Sequence, residues 1–361
     1  MKIQISFLLL IVLLVSCKED PLEQTSITPY ELDIPSHFPQ MPIPADNPMS
    51  VEGVELGRHL FYEERLSRDN SISCASCHSP QNSFSDSDQF SEGVDGLLGD
   101  RQSMALINLG WQSNFFWDGR AGTIEEQILE PVVKHNEMDQ SWDATIQKLK
   151  AVPEYQAYFS QVFAVENFDS THVTKAIAQF LRTLISAQSE YDVMYKYRND
   201  LTLSAQEQNL YTEITTEEWG GYDLFFSLSN GDCLHCHNGP LAKVAGKFSN
   251  NGLDATFADE GRKIVTGDPT DAGKFKIPTL RNIELSAPYM HDGRFNTLDE
   301  VVNHYSFGVT ESSTIDPLME FSGQGGVQLD AQEHQLLVSF LKTFTDQSFV
   351  NNPDFQDPGE F

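Results

Sequence analysis

Cysteine is nearly absent from this chain, and what there is of it is confined to three places. Of 361 residues, five are cysteine: Cys17 closes an N-terminal apolar run, and the other four form two pairs, in SISCASCHSP (71–80) and GDCLHCHNGP (231–240). An exported protein could use disulfides, but no cysteine is left over to make them elsewhere. Basic residues are also scarce, 23 Lys and Arg against 53 Asp and Glu. That balance argues against nucleic acid, whose phosphates it would repel. It permits steering of a basic protein partner, and solubility is its plainer use. Long apolar runs are missing: the N-terminal one falls short of the roughly 20 residues that span a bilayer, and no later segment comes near. Alternating strand patterns are few.

The N-terminus indicates the compartment. Met1-Lys2 is a short basic start, an apolar run extends from about Ile5 to Val15, and Leu14-Val15-Ser16-Cys17 follows. This is the layout of a secretory signal peptide. Ending on Cys17 resembles a bacterial lipoprotein signal, in which that cysteine is lipidated and becomes the first residue. A cut nearby, with Cys17 incidental, is the alternative. The expectation is a signal over 1–17 and a mature protein in the periplasm, held by its lipid to a membrane face. Residues 18–50 hold seven prolines. Such a segment is extended and reads as a tether followed by a strap over the first domain.

Helical signals dominate the rest. Thr123 and Glu126 have capping-box spacing. Val173, Ile177, Phe180, Leu181, Leu184 and Ile185 form one apolar helical face. Asp330 and Glu333 cap another helix, with Leu336, Leu337, Phe340, Leu341 and Phe344 inward. Between them lie long loops, such as 81–103 and 245–275. A mostly helical chain with long loops implies a core built around something besides side chains. The length suits two domains, one for each cysteine pair: 51–195 and 196–345, with a tail over 346–361.

Cys-x-x-Cys-His is the attachment signature of c-type haem. Two thiols add across the porphyrin vinyl groups, and the next residue points at the iron, where histidine supplies a nitrogen. Cys74 and Cys77 would hold one haem with His78 as its ligand; Cys233, Cys236 and His237 would hold a second. A structural zinc site needs four ligands, which the two pairs could provide only jointly. A redox dithiol needs neither the histidines nor two copies. Two haems allow either an electron carrier, with both irons closed, or an enzyme, with one iron open.

The flanks resemble one family, the bacterial di-haem cytochrome c peroxidases with their relative MauG. The resemblance rests on Leu56-Gly57-Arg58, Leu60-Phe61, SISCASCH and Phe115-Phe116-Trp117-Asp118-Gly119-Arg120-Ala121 in the first half. In the second it rests on Lys276-Ile277-Pro278-Thr279-Leu280-Arg281-Asn282 and Ala287-Pro288-Tyr289-Met290-His291-Asp292-Gly293. It implies a mainly α protein, two cytochrome c-like haem domains packed against each other with long loops and little β-structure. It also implies two covalent haems, a first peroxidatic and a second electron-transferring.

Within that resemblance Trp117 matches the tryptophan that carries electrons between the haems; by itself it would be read as a core aromatic. Ten residues on, Gln127 matches a distal glutamine, and ten further, Glu137 matches a distal glutamate. By composition alone Glu137 is a surface carboxylate. Splitting peroxide requires moving a proton from one oxygen to the other, and a nearby carboxylate that takes and returns it contributes about 10²–10⁴-fold. Gln127 would orient peroxide or water.

Two departures are visible. Many family members carry a removable histidine after the first motif; the matching position here is about Val94, and residues 79–134 contain no histidine. The first iron is therefore expected to be five-coordinate or water-bound in every redox state. Where the family's second iron takes a methionine, this chain has Tyr305, as MauG does; Met290 and His304 are competing candidates. Tyrosine ligation would lower that haem's potential. The resemblance also implies one calcium between the haems, held by Gln102, Ser286 and Pro288 (by backbone oxygen), although the family has asparagine and threonine at the first two places. The leading expectation is hydrogen peroxide reduced to water by electrons from a small periplasmic cytochrome or similar donor. The alternative is a MauG-like enzyme that oxidises residues of a partner protein. A third possibility, electron transfer or haem storage without catalysis, is opposed by Gln127 and Glu137. Family members are often homodimers.

Overall fold

The computed structural model describes residues 27–359 and 361; Cys17 and the whole predicted signal lie outside the described residues. The chain is mainly helical. Its first half contains α1 (Val51–Phe61), α2 (Cys74–Cys77), α3 (Ile124–Val133), α4 (Trp142–Lys150), α5 (Pro153–Phe163) and α6 (Ser170–Thr183). The remainder contains α7 (Glu190–Arg198), α8 (Ala205–Glu213), α9 (Thr216–Phe225), α10 (Lys263–Thr266), α11 (Leu298–Asn303), α12 (Ala331–Lys342) and α13 (Gln347–Val350). The sheet among the described residues has two short antiparallel strands, β1 (Phe248–Ser249) and β2 (Phe275–Lys276), with Phe248 opposite Lys276. Among the described residues no helix is long and apolar enough to cross a membrane.

The helices start where the side chains can satisfy their first amides. Thr123 accepts from the Glu126 amide at the head of α3, and Asp330 accepts from the Gln332 and Glu333 amides at the head of α12. Asp169 does the same for α6, whose Val173, Ile177, Phe180 and Leu181 are buried. Each half is then built on one tight helix crossing. A Cβ on Gly57 in α1 would stand 2.0 Å from the Ala176 carbonyl oxygen of α6. A Cβ on Gly221 in α9 would stand 2.0 Å from the Leu336 carbonyl oxygen of α12. The glycines let the backbones meet, and Phe180 and Phe340, one turn further along the facing helices, sit beside the same glycines, both wholly buried. Truncating a buried phenylalanine of this kind costs about 3–5 kcal/mol.

These paired crossings belong to an internal repeat. Asp118-Gly119-Arg120 and Asp292-Gly293-Arg294 lie in matching turns, closed by bridges from Phe115 to Ala121 and from Tyr289 to Phe295. Each turn leads into a threonine-capped helix, α3 from Thr123 and α11 from Thr297. In this correspondence Trp117 stands where His291 stands, and Phe116 where Met290 stands, the last two both with positive φ.

Two buried apolar clusters are present, one centred on α1, α3 and α6, the other on α9, α11 and α12; Tyr191, Val193 and Met194 of α7, which fall within 51–195, pack in the second. The C-terminal residues return to the first: Phe349 and Phe355 pack there, and Tyr62 donates to the Phe355 carbonyl at 2.7 Å. The strap packs Phe38 and Met41 against Trp111 and Ala187, and it reaches beyond the first half. His37 meets Asp192 of α7 at 2.8 Å, and Asp192 takes both guanidinium nitrogens of fully buried Arg281 at 2.6 Å.

Candidate functional site

Between the two apolar clusters lies one continuous cavity of about 970 Å³. Phe61, Leu66, Ile177 and Leu181 wall it on one side, and Phe225, Leu298, Leu337 and Leu341 on the other. Both cysteine pairs and both following histidines open into it. At the upper end of the range for small-molecule sites, this space is what the long loops and helices surround in place of side chains.

The first motif is a single helical turn, α2, with the Ser73 amide donating to Ser76 Oγ at 3.0 Å and the His78 amide to the Cys74 carbonyl at 3.0 Å. The second is a 3₁₀ turn over Cys233–His235, and the His237 amide donates to the Cys233 carbonyl at 3.0 Å. Each histidine is oriented by its other nitrogen. His78 Nδ1 meets the Phe84 carbonyl at 3.0 Å and His237 Nδ1 meets the Ala242 carbonyl at 3.3 Å. A proton held there leaves the Nε2 lone pair free for a metal. Burial pushes His237 down to about 4 and His78 below its ordinary value, so both rings are neutral at physiological pH. Burial also pushes the Cys74 and Cys233 thiols up to about 12 and Cys77 up to about 11. None of the four is in a disulfide. Among the described residues no three His, Cys, Asp or Glu side chains gather as a metal cluster, so the two pairs do not combine into a zinc site. Neutral thiols and a neutral, oriented imidazole at each end of an apolar cavity fit a pair of covalent porphyrins.

The predicted distal residues of the first half line the same cavity. Gln127 lies in α3 and Glu137 in the turn that follows it. Lys134 Nζ stands 3.2 Å from Glu137 Oε1 and 3.0 Å from Asp100 Oδ2. Burial works against the Lys134 charge, but Asp100 and Glu137 outweigh it and hold its pKa above the ordinary value. The loop that bears Val94 is bound to this turn: the Val94 amide donates to the Glu137 carbonyl at 2.8 Å, and Val94 itself is buried. A Cβ on Gly93 would stand 2.4 Å from the Asn136 carbonyl oxygen, so only glycine allows the approach.

Trp117 sits at the junction of the halves. Its indole N–H donates to the Gln102 carbonyl at 2.8 Å, and its own carbonyl accepts from the Lys276 amide at 2.7 Å. Its ring meets His291 edge-on at 6.5 Å, and His291 stacks on Phe275 at 3.7 Å. Arg101 braces the junction, with one nitrogen 2.6 Å from Asp118 and two on Asp259, at 2.7 and 2.9 Å.

At the second motif, Tyr305 and Met290 both line the cavity and converge on one group. Asn251 Nδ2 donates to Tyr305 Oη at 3.0 Å and stands 3.5 Å from Met290 Sδ. Tyr305 belongs to a π-helical turn, His304–Gly308, of the kind that re-aims a side chain by one residue. Burial pushes its phenol up to about 12. His304 turns away and meets the Asn251 carbonyl through Nε2 at 3.2 Å. Gln102, Ser286 and Pro288 also border the cavity, near Trp117 in the case of Gln102, whose amide nitrogen donates to Ser85 Oγ at 3.0 Å.

Three features were not foreseen from the sequence: the Asn251 contacts, the Arg101 brace and two buried lysines. Lys276 borders the cavity, donates to Gln112 Oε1 at 2.9 Å, and is pushed down to about 7 by burial. Lys243 Nζ is buried without a hydrogen-bond partner, and burial drives its pKa well down. A lysine charged in such a place calls for an anion, and porphyrin propionates would bring carboxylates to the wall that Lys276 borders. The repeat of Asp-Gly-Arg was the one signal in the sequence that could have flagged the junction.

A family model described as di-haem cytochrome c peroxidase matches residues 51–200. The cytochrome-c peroxidase IdrP1 of Pseudomonas sp. (strain SCT) is 31% identical, over 90% of this chain and 89% of its own. The methylamine utilization protein MauG of Methylorubrum extorquens is 32% identical, over 84% of this chain and 81% of its own. A solved structure of a MauG-like protein associated with microbial copper homeostasis superposes with a TM-score of 0.79 at 32% identity, covering 91% of this chain and 99% of that one.

Proposed function

The chain belongs to the di-haem cytochrome c peroxidase family, haem oxidoreductases that act on peroxide, and from that premise we propose that it reduces hydrogen peroxide to water with electrons from a small periplasmic cytochrome or similar donor. One observation carries the reading. Glu137 and Gln127 face the same cavity as His78, with Trp117 at the junction toward His237. When bound, the two haems supply the electron chemistry that splits peroxide.

The chain's own residues do the rest. His78 and His237, neutral and fixed through Nδ1, would hold the two irons. Gln127 orients peroxide by hydrogen bonds. Glu137 takes a proton from one peroxide oxygen and returns it to the departing one, and Lys134 keeps its carboxylate in place. Trp117, held through its N–H and its carbonyl, passes electrons from the second half to the first one at a time. With no histidine between 79 and 134 and Val94 bound into the Glu137 turn, the peroxidatic face needs no prior reduction to open. Gln102, Ser286 and Pro288 offer neutral oxygens, which suit calcium. Removing calcium with a chelator should lower turnover, and its restoration should recover it. The sequence supports export and a lipid on Cys17.

Glu137→Ala should lower peroxide turnover with reduced cytochrome c by about 10²–10⁴-fold while both haems stay attached. Unchanged turnover would remove Glu137 from the mechanism. The second reading, oxidation of residues on a partner protein, is favoured by Tyr305 beside Asn251. It predicts peroxide consumption that small cytochromes do not accelerate.

A further inference from the structure

A file of aromatic rings runs from the outer surface of the second half to the cavity wall. Tyr197, at the end of α7, is 50% exposed. Its ring centroid lies 4.8 Å from that of Tyr211 in α8 and 5.5 Å from that of Trp219 in α9. Trp219 is 6.0 Å from Tyr211 and 5.8 Å from Tyr222. Tyr222 is 5.5 Å from Phe340, and Phe340 is 5.1 Å from Phe225, which borders the cavity together with Cys233. Arg198 lies over the rings of Trp219 and Tyr222 at 5.0 and 5.2 Å, its charge paired with Asp223. Packing accounts for the buried inner rings. It gives no reason for two tyrosines and a tryptophan, all oxidisable, to keep mutual contact at the end where Tyr197 gives half its surface to water.

We propose that this file draws electrons inward from the Tyr197–Tyr211 pair when peroxide arrives without an outside donor, and that the pair is a site of oxidative cross-linking. The proposal rests on the peroxide-reducing reading above. Each phenol ring gives up one electron and one proton. A carbon–carbon bond forms between the two rings and replaces one C–H bond on each. The O–O bond of one peroxide breaks, and the two electrons and two protons complete two waters. Trp219 and Tyr222 are the stations between pair and cavity; Phe340 and Phe225 only bridge the gap. The protons leave to water at the exposed end and are replaced from solvent at the cavity.

The test is to treat the holoprotein with hydrogen peroxide in the absence of reduced cytochrome, then follow dityrosine fluorescence and peptide mass. The expected product is a single chain in which the peptides bearing Tyr197 and Tyr211 are joined and lighter by two hydrogens. Trp219→Phe should lower its yield several-fold, and Tyr211→Phe should abolish it, with donor-supported turnover unchanged in both. Turnover with both tyrosines left unmodified, or an equal yield in the Trp219→Phe protein, would overturn the proposal. Should that variant fail to fold, the unaltered protein still decides by whether residues 197 and 211 are joined. Absence of donor-supported turnover in the unaltered protein would instead overturn the peroxidase reading.

Discussion

Tyr305 and Val94 are the residues that set this chain apart from the family pattern the sequence resembles. Asn251 gives Tyr305 Oη a hydrogen bond, and burial keeps the phenol neutral without a metal. Ferric iron would take that oxygen as phenolate, which favours the ferric state. Tyr305→Phe should therefore raise the potential of the second haem in an optical redox titration, and Met290→Leu should leave it unchanged. The opposite pattern would assign the ligand to Met290. At this scale the sequence was legible where a motif is local: both Cys-x-x-Cys-His stretches stand out by their spacing, and their thiols and imidazoles open into one cavity. Asn251 could not be read this way. It reaches Tyr305 across 54 residues of loop and helix, and no local pattern announces such a contact.

Among elements, the helices were legible and their crossings were not. Caps and apolar faces announced α3, α6 and α12, because threonine or aspartate ahead of a periodic apolar run satisfies the first amides. Gly57 and Gly221 read as ordinary helix residues of poor propensity. Their reason is the facing carbonyl 2.0 Å from where a Cβ would sit. Gly57→Ala and Gly221→Ala should each destabilise by at least the about 1–3 kcal/mol of an overpacked core, read as a lowered denaturation midpoint. An unchanged midpoint would show that the helices can part freely. The strap offers a pH test. Burial works to raise the Asp192 pKa, but Arg281 and His37 outweigh it and hold it well below the ordinary carboxylate value. A depressed carboxyl gives stability that is full above its unfolded pKa of about 3.9 and fades as pH falls through the lower folded value. Asp192→Asn should cost about 3–5 kcal/mol at neutral pH by leaving Arg281 buried and unpaired, and the deficit should shrink in strong acid. A deficit independent of pH would contradict this.

The whole molecule is a repeat folded around one cavity. Its two halves share the turn, the threonine cap and the glycine crossing, yet differ where chemistry is proposed: Trp117 against His291, and Glu137 beyond α3 against Tyr305 beyond α11. The sequence showed two motifs and suggested a half for each. It did not show that both open into a single space, because that depends on how the clusters around α6 and α12 face each other. Everything proposed for this chain needs that space filled by two covalent porphyrins. Intact mass measurement of the denatured mature protein, made in cells that mature c-type cytochromes, tests this most directly. The mass should be that of the polypeptide and its modification plus two haems. A mass without them, or with one, would contradict the account.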